Sequence, residues 1–146
     1  MVEIKIEPIT QKALPDYLLW FNDEEVRKYL YSTTPRTEAE ISLWLDSLQN
    51  NSFYYCSIFH KGRNIGHVGL RDFDNDHHSV EISYVIGAKE LWNKGIATEA
   101  VHQIIKTAKD KFKVTQITAS GVTNPASWRV LEKCGFQRFE NNFLLD

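Results

Sequence analysis

Val80-Glu-Ile-Ser-Tyr-Val-Ile-Gly87 is followed, four residues on, by Trp92-Asn-Lys-Gly-Ile-Ala-Thr98. In the first stretch Val80, Ile82, Tyr84 and Ile86 alternate with Glu81, Ser83 and Val85, the period-two pattern of a strand with two different faces. Behind Gly95 the period changes. Ala97, Ala100, Val101, Ile104, Ile105 and Ala108 recur at three- and four-residue steps, which predicts an amphipathic helix to about Lys111. Gly95 thus stands where a strand passes through a short loop into a helix. The N–H groups of a first helical turn lack acceptors within the helix and lie at its positive end, so such a turn can hold a pyrophosphate.

On the C-terminal side, residues 116–121 read as a strand. A helical crossover leads to it, so it should run parallel to 80–86. Asn124 is an N-cap with Pro125 at the first helical position, and Gly135 falls where a C′ glycine belongs. Residues 136–139 form a last clear strand, leaving only Phe143 to Asp146 for another. This short apolar end should pair within the sheet or against a second subunit, as in a homodimer.

On the N-terminal side, Ile4 and Ile6 alternate with charged residues in an edge strand that ends at Pro8. Thr10 caps a helix carrying Leu14, Leu18 and Phe21. Asn22-Asp-Glu-Glu25 opens a helical turn through Val26 and Leu30, and Pro35 breaks the chain. Thr37-Glu-Ala-Glu40 is a capping box for a helix with Ile41, Trp44, Leu45 and Leu48 on one face. Residues 53–59 and 64–70 flank Lys61-Gly-Arg63 as an antiparallel hairpin, and 72–78 read as a polar turn. With no repeat or linker, residues 1–146 make one domain of the α+β class, with a mixed sheet.

Composition narrows the function. Seventeen basic and nineteen acidic residues give a net charge of −2, which supplies no footprint for nucleic acid or a membrane surface. No apolar run is long enough for a membrane span, and no secretory pattern opens the chain, so a cytoplasmic protein is expected. Cys56 and Cys134 sit among apolar residues and read as reduced thiols rather than a disulfide. His77 and His78 point opposite ways on an extended segment. Asp72, Asp74 and Asp76 lack the glycine and bidentate glutamate of a calcium loop, so no metal is expected.

The two blocks Trp92-x-Lys-Gly-x-Ala-Thr-Glu-Ala100 and Asn124-x-x-Ser127 with Arg129-Val-Leu-Glu-Lys-Cys-Gly-Phe136 occur in order, separated by one helix and one strand. Together they resemble the GNAT superfamily of N-acetyltransferases, and within it the RimJ/RimL branch. Asn22-Asp-Glu-Glu-Val26 and Ile65-Gly66 fit the same branch. Trp92 stands where the superfamily more often has Gln or Arg. The resemblance implies a mostly antiparallel sheet in which two parallel strands splay apart to admit acetyl-CoA, with flanking helices. It implies that the cofactor is held by Tyr84, Val85 and Ile86, by Trp92, Asn93, Lys94, Gly95, Ile96, Ala97 and Thr98, and by Asn124 on the pantetheine arm.

Transfer of acetyl from a thioester to an amine requires the neutral amine, whereas amines titrate near 8 to 10.4. Glu81 matches the strand glutamate that serves as base in several members, with desolvation raising its pKa toward the working pH. Backbone N–H groups at Tyr84 to Ile86 would meet the oxyanion. Many relatives protonate the leaving thiolate with a tyrosine, but this chain has Leu131 there. Ser127 matches the serine assigned that role in the RimJ/RimL branch. Trp20, Tyr29, Tyr31 and Trp44 lie in the helices that cover the acceptor side in this family, most as core and one or two as pocket lining. The acceptor implied is a protein N-terminal α-amine, or a polyamine, amino acid, amino sugar or drug of the kinds the same branch acetylates, and the transfer direct, in a ternary complex. A competing reading is an acyl-CoA-binding regulatory module, which would need neither Glu81 nor Ser127.

Overall fold

A computed structural model describes residues 2–30, 32 and 34–146. Seven strands form one sheet in the order β1-β2-β3-β4-β5-β7-β6. β1 (Lys5–Pro8), β2 (Phe53–His60), β3 (Arg63–Asp74) and β4 (Ser79–Ile86) pair antiparallel in turn. β4 then meets β5 (Gln116–Ala119) in parallel. β7 (Asn142–Leu145) lies antiparallel between β5 and β6 (Gln137–Phe139). The final apolar segment therefore finds its partners inside the sheet, and β1 and β6 are the edges.

The parallel pair is short. Its register runs from Ser79 opposite Gln116 to Glu81 opposite Thr118, and there it stops. Beyond Glu81, β4 continues for five residues with no strand on that side. This opening is the splay that the resemblance implied.

Each face of the sheet has its own apolar layer. Val80, Ile82, Leu70, Val68, Ile58, Ile117 and Phe143 pack against α4 (Ile96–Phe112) and Leu131 of α5 (Pro125–Lys133). Tyr55 packs on the opposite face against Tyr17, Trp20 and Phe21 of α1 (Leu14–Phe21), Val26 of α2 (Glu24–Arg27), and Ile41 and Leu45 of α3 (Glu38–Ser47). Most caps fall where the residues place them. Asp23 accepts from Glu25 N–H, Thr37 and Glu40 complete a reciprocal capping box, and Asn124 accepts from Ala126 N–H. Thr10 caps a 3-10 turn, Gln11–Ala13, that runs into α1.

Residues 72–74 differ from the expected turn. β3 runs on to Asp74, which pairs with Ser79 after a register shift beyond Arg71. Asp72 takes φ 53° there, so the bulge hides the strand's alternation. The turn is held by Asp74, whose carboxylate accepts from the N–H groups of Asp76 and His77 and from the His77 ring. Among the described residues no group of three His, Cys, Asp or Glu could hold a metal, and no helix is long and apolar enough to cross a membrane.

Candidate active site

Gly95 takes φ 82° and ψ 2°, a left-handed conformation that costs a residue with a Cβ, and caps α4 without a side chain. Asn93, two residues earlier, is also left-handed at φ 62°. The first N–H groups of α4 are thus left for an outside acceptor, next to a loop whose backbone curls as an anion-binding nest does. Trp92 holds this loop to the sheet: its indole N–H donates to the Ile86 carbonyl at 2.8 Å, and Tyr29 packs edge-on against it at 5.4 Å. That clasp is what a Trp offers where relatives carry Gln or Arg. Lys89 ties the same loop to α2 by pairing with Asp23 at 2.8 Å.

The loop, the start of α4, the open end of β4 and the first turns of α5 enclose a cavity of about 460 Å³. Tyr84, Val85, Ile86, Trp92, Asn93, Lys94, Gly95, Ile96, Ala97, Thr98, Asn124 and Ser127 all line it. Every expected cofactor contact therefore faces one space. Arg129 and Lys133 line it too, and they were missed; their i, i+4 spacing on the helix face that carries Ala126 and Val130 was the available signal. With Lys94 they put three cations on the wall of the same cavity, the charge a phosphate needs. The residues present fit a nucleotide-bearing thioester.

Gly87 N–H donates to the Ile65 carbonyl, on the β3 side of β4. Backbone groups alternate direction along a strand, so Tyr84 and Ile86 direct theirs to the opposite side, into the splay. The Tyr84 hydroxyl reaches across and donates to the Ser127 carbonyl at 3.4 Å. Ser127 is half-buried at the third position of α5, and its backbone N–H bonds Asn124. Leu131, at the usual acid's place, is fully buried in the core.

Glu81 is 8% exposed and lines neither this cavity nor the smaller one described below. Its carboxylate accepts from Thr118 Oγ1 at 2.7 Å, Ser120 N–H at 2.7 Å and Ser120 Oγ at 3.1 Å. It sits at the last rung of the β4–β5 pair, where the splay begins. Neither cysteine is a poised nucleophile. Burial pushes both Cys56 and Cys134 up to about 11, the opposite of activation.

The family profile described as Acetyltransferase (GNAT) domain matches residues 3–137. The chain belongs to the GNAT acetyltransferase family. It is accordingly an acetyl-CoA-dependent N-acetyltransferase. No curated protein sequence matches it. Among solved structures, aminoglycoside acetyltransferase AAC(6')-Ib in complex with coenzyme A is similar at TM-score 0.85 and 18% identity, over 98% of this chain and 94% of that one. Spermidine N-acetyltransferase from Vibrio cholerae, in complex with CoA and spermine, gives 0.84 and 17%, over 97% and 94%. The microcin C7 self-immunity acetyltransferase MccE, in complex with acetyl-CoA and AMP, gives 0.81 and 17%, over 98% and 92%. At such identities the likeness establishes the fold.

A second cavity of this GNAT domain, about 310 Å³, opens on the other face of the sheet. Phe21, Tyr29, Leu30, Arg36, Glu40, Ile41, Trp44, Tyr55, His67, Arg71, Ser83 and Val85 line it. Tyr29 and Val85 line both cavities, so the two meet there. Of the four expected aromatics, Tyr29 and Trp44 are pocket lining, Trp20 is core, and Tyr31 lies outside the described residues. His67 was missed because one histidine in a strand carries no pattern. It stacks on Tyr55 at 5.3 Å and hydrogen-bonds the Tyr17 hydroxyl through Nδ1. Burial and then the Arg71 charge hold its pKa down to about 4, so it is neutral at pH 7. Burial likewise raises Tyr17 well above the usual tyrosine value.

Proposed function

We propose that this GNAT domain transfers the acetyl group of acetyl-CoA to a primary amine by direct attack, with both substrates bound together. The junction of the two cavities at Tyr29 and Val85 carries the reading, since it gives each substrate its own space and one place to meet. Acetyl-CoA supplies the thioester carbonyl. The α4 N-terminus with Lys94, Arg129 and Lys133 would hold its phosphates, and Asn124 its pantetheine arm. The N–H groups that β4 turns into the splay, at Tyr84 and Ile86, would stabilise the developing oxyanion.

Glu81 takes the amine's proton through water. Its remoteness from both cavity linings and its three hydrogen bonds support a relay over direct contact, and one of its four lone-pair positions stays available for the water. Ser127 protonates the departing thiolate, a role supported by its place on the cavity wall and by Leu131's burial. The RimJ/RimL resemblance adds protein N-terminal α-amines to the acceptors to be tried, beside polyamines and amino sugars.

Free-thiol release from acetyl-CoA, followed over a panel of these amines, tests the reading. Release should depend on the amine. A protein that acetyl-CoA stabilises against melting but that releases no thiol with any amine is the regulatory binding module instead.

A further inference from the structure

The smaller cavity contains a cation left unpaired among the described residues. Arg71 Nε is buried and has no hydrogen-bond partner among the described residues. None of the ion pairs among the described residues involves its guanidinium. The obvious counterion is Glu81, which lies directly opposite in the β3–β4 register and on the same face. Its carboxylate turns instead toward Thr118 and Ser120. Glu40 is the carboxylate on the cavity wall, and it too is engaged. Thr37 N–H donates to it at 3.0 Å, and Arg36 pairs with it at 3.4 Å. With His67 neutral, the uncompensated charge in the cavity belongs to Arg71.

Native proteins rarely leave a buried polar group without a partner, and a charged one is the most costly to leave so. The Arg fork, Nε with one Nη, matches a carboxylate in two parallel bonds. At about 310 Å³ the space holds roughly ten waters' volume and sits at the small end of ligand sites. A polyamine or amino sugar would bring further positive charge against Arg71 in a partly desolvated cavity, where repulsion is strong.

We propose that the acceptor is a small amine bearing a carboxylate, of the amino-acid class, with Arg71 binding the carboxylate and the amine lying toward Val85. The acetyl-transfer reading enters only in naming this ligand the acceptor.

The test uses the full chain saturated with coenzyme A, whose free thiol cannot turn over. Melting temperature is read with a panel of free amino acids, their carboxamides and spermidine. At least one amino acid should raise it where its carboxamide does not. Arg71→Gln should lose that shift, Arg71→Lys should keep part of it, and both should keep the shift from coenzyme A alone. With acetyl-CoA, kcat/KM should favour the acid over the amide by roughly 10-fold or more, the scale of a charge-assisted hydrogen bond, and Arg71→Gln should erase the preference. Equal response to acid and amide, a stronger response to spermidine, or an acid preference that survives Arg71→Gln would overturn the assignment. If Arg71→Gln does not fold, an Arg71→Lys protein with an undiminished acid-over-amide shift supports charge recognition, and one responding equally to both overturns it. A carboxylate-dependent shift without thiol release would support the binding assignment while sinking acetyl transfer.

Discussion

Glu81 and Arg71 face each other across two strands without pairing, and the separation gives each a different task. Thr118 and Ser120 anchor the glutamate at the mouth of the splay, while the arginine is left to the acceptor cavity. Glu81→Gln should be tolerated structurally. The amide oxygen can accept from Ser120 N–H, and its NH₂ can donate to Thr118 Oγ1, whose proton then turns to the Val80 carbonyl 3.4 Å away. The variant should retain its acetyl-CoA melting shift and lose roughly 10²–10⁴ in kcat, the range for a general base. That deficit should shrink as pH rises toward the amine's own pKa, because less proton removal is left to do. An unchanged kcat near pH 7 would take Glu81 out of the proton path. Glu81 was singled out in the sequence because it matches the strand glutamate of the family that the chain resembles. Arg71 was not, since what distinguishes it is the lack of a partner, and no sequence pattern encodes that.

At the scale of elements, α4 and its loop were the most legible part of the chain. A switch from period two to period 3.6 across a glycine is a local signal, and local signals survive folding. The same holds for the capping box of α3, formed as Thr37 and Glu40 predict. Legibility failed where a bulge interrupts alternation, as at Asp72, and where a strand is only a few residues long. For α4 the expected consequence is testable with Gly95→Glu. A Cβ at this position meets only Val2 Cγ2, at 3.6 Å, an ordinary contact, so the backbone there has room for one. The left-handed φ costs about 1–2 kcal/mol, small against the whole fold, so circular dichroism should still show a native spectrum. The added carboxylate would face the nest and the dipole's positive end, where it competes with a pyrophosphate. The acetyl-CoA melting shift should disappear; a folded variant with the full shift would move the phosphate site elsewhere.

For the whole molecule, the last strand decides how the splay is kept open without loosening the sheet. β5 holds β4 over only three rungs, Ser79 to Glu81. Its other side must therefore be secured by β7, which pairs Phe143, Leu144 and Leu145 with Ala119, Thr118 and Ile117. Phe143 is 2% exposed and sits in the same apolar layer as Ile117, Leu131 and Ile104. The sequence showed an apolar end in need of cover but could not place it, because only its β6 side is a local hairpin, through Glu140 and Asn141, while its β5 side is a long-range pairing that no local pattern encodes. Phe143→Ala leaves the backbone ladder in place and removes only the side chain. Truncation of a buried Phe costs about 3–5 kcal/mol, a large part of the 5–15 kcal/mol that holds a domain together. Urea unfolding should show a midpoint lowered by that free energy divided by the m-value, at unchanged slope. A loss below about 1 kcal/mol, the scale of an ordinary surface change, would mean that β7 is peripheral and that β5 is held by β4 and the helices alone.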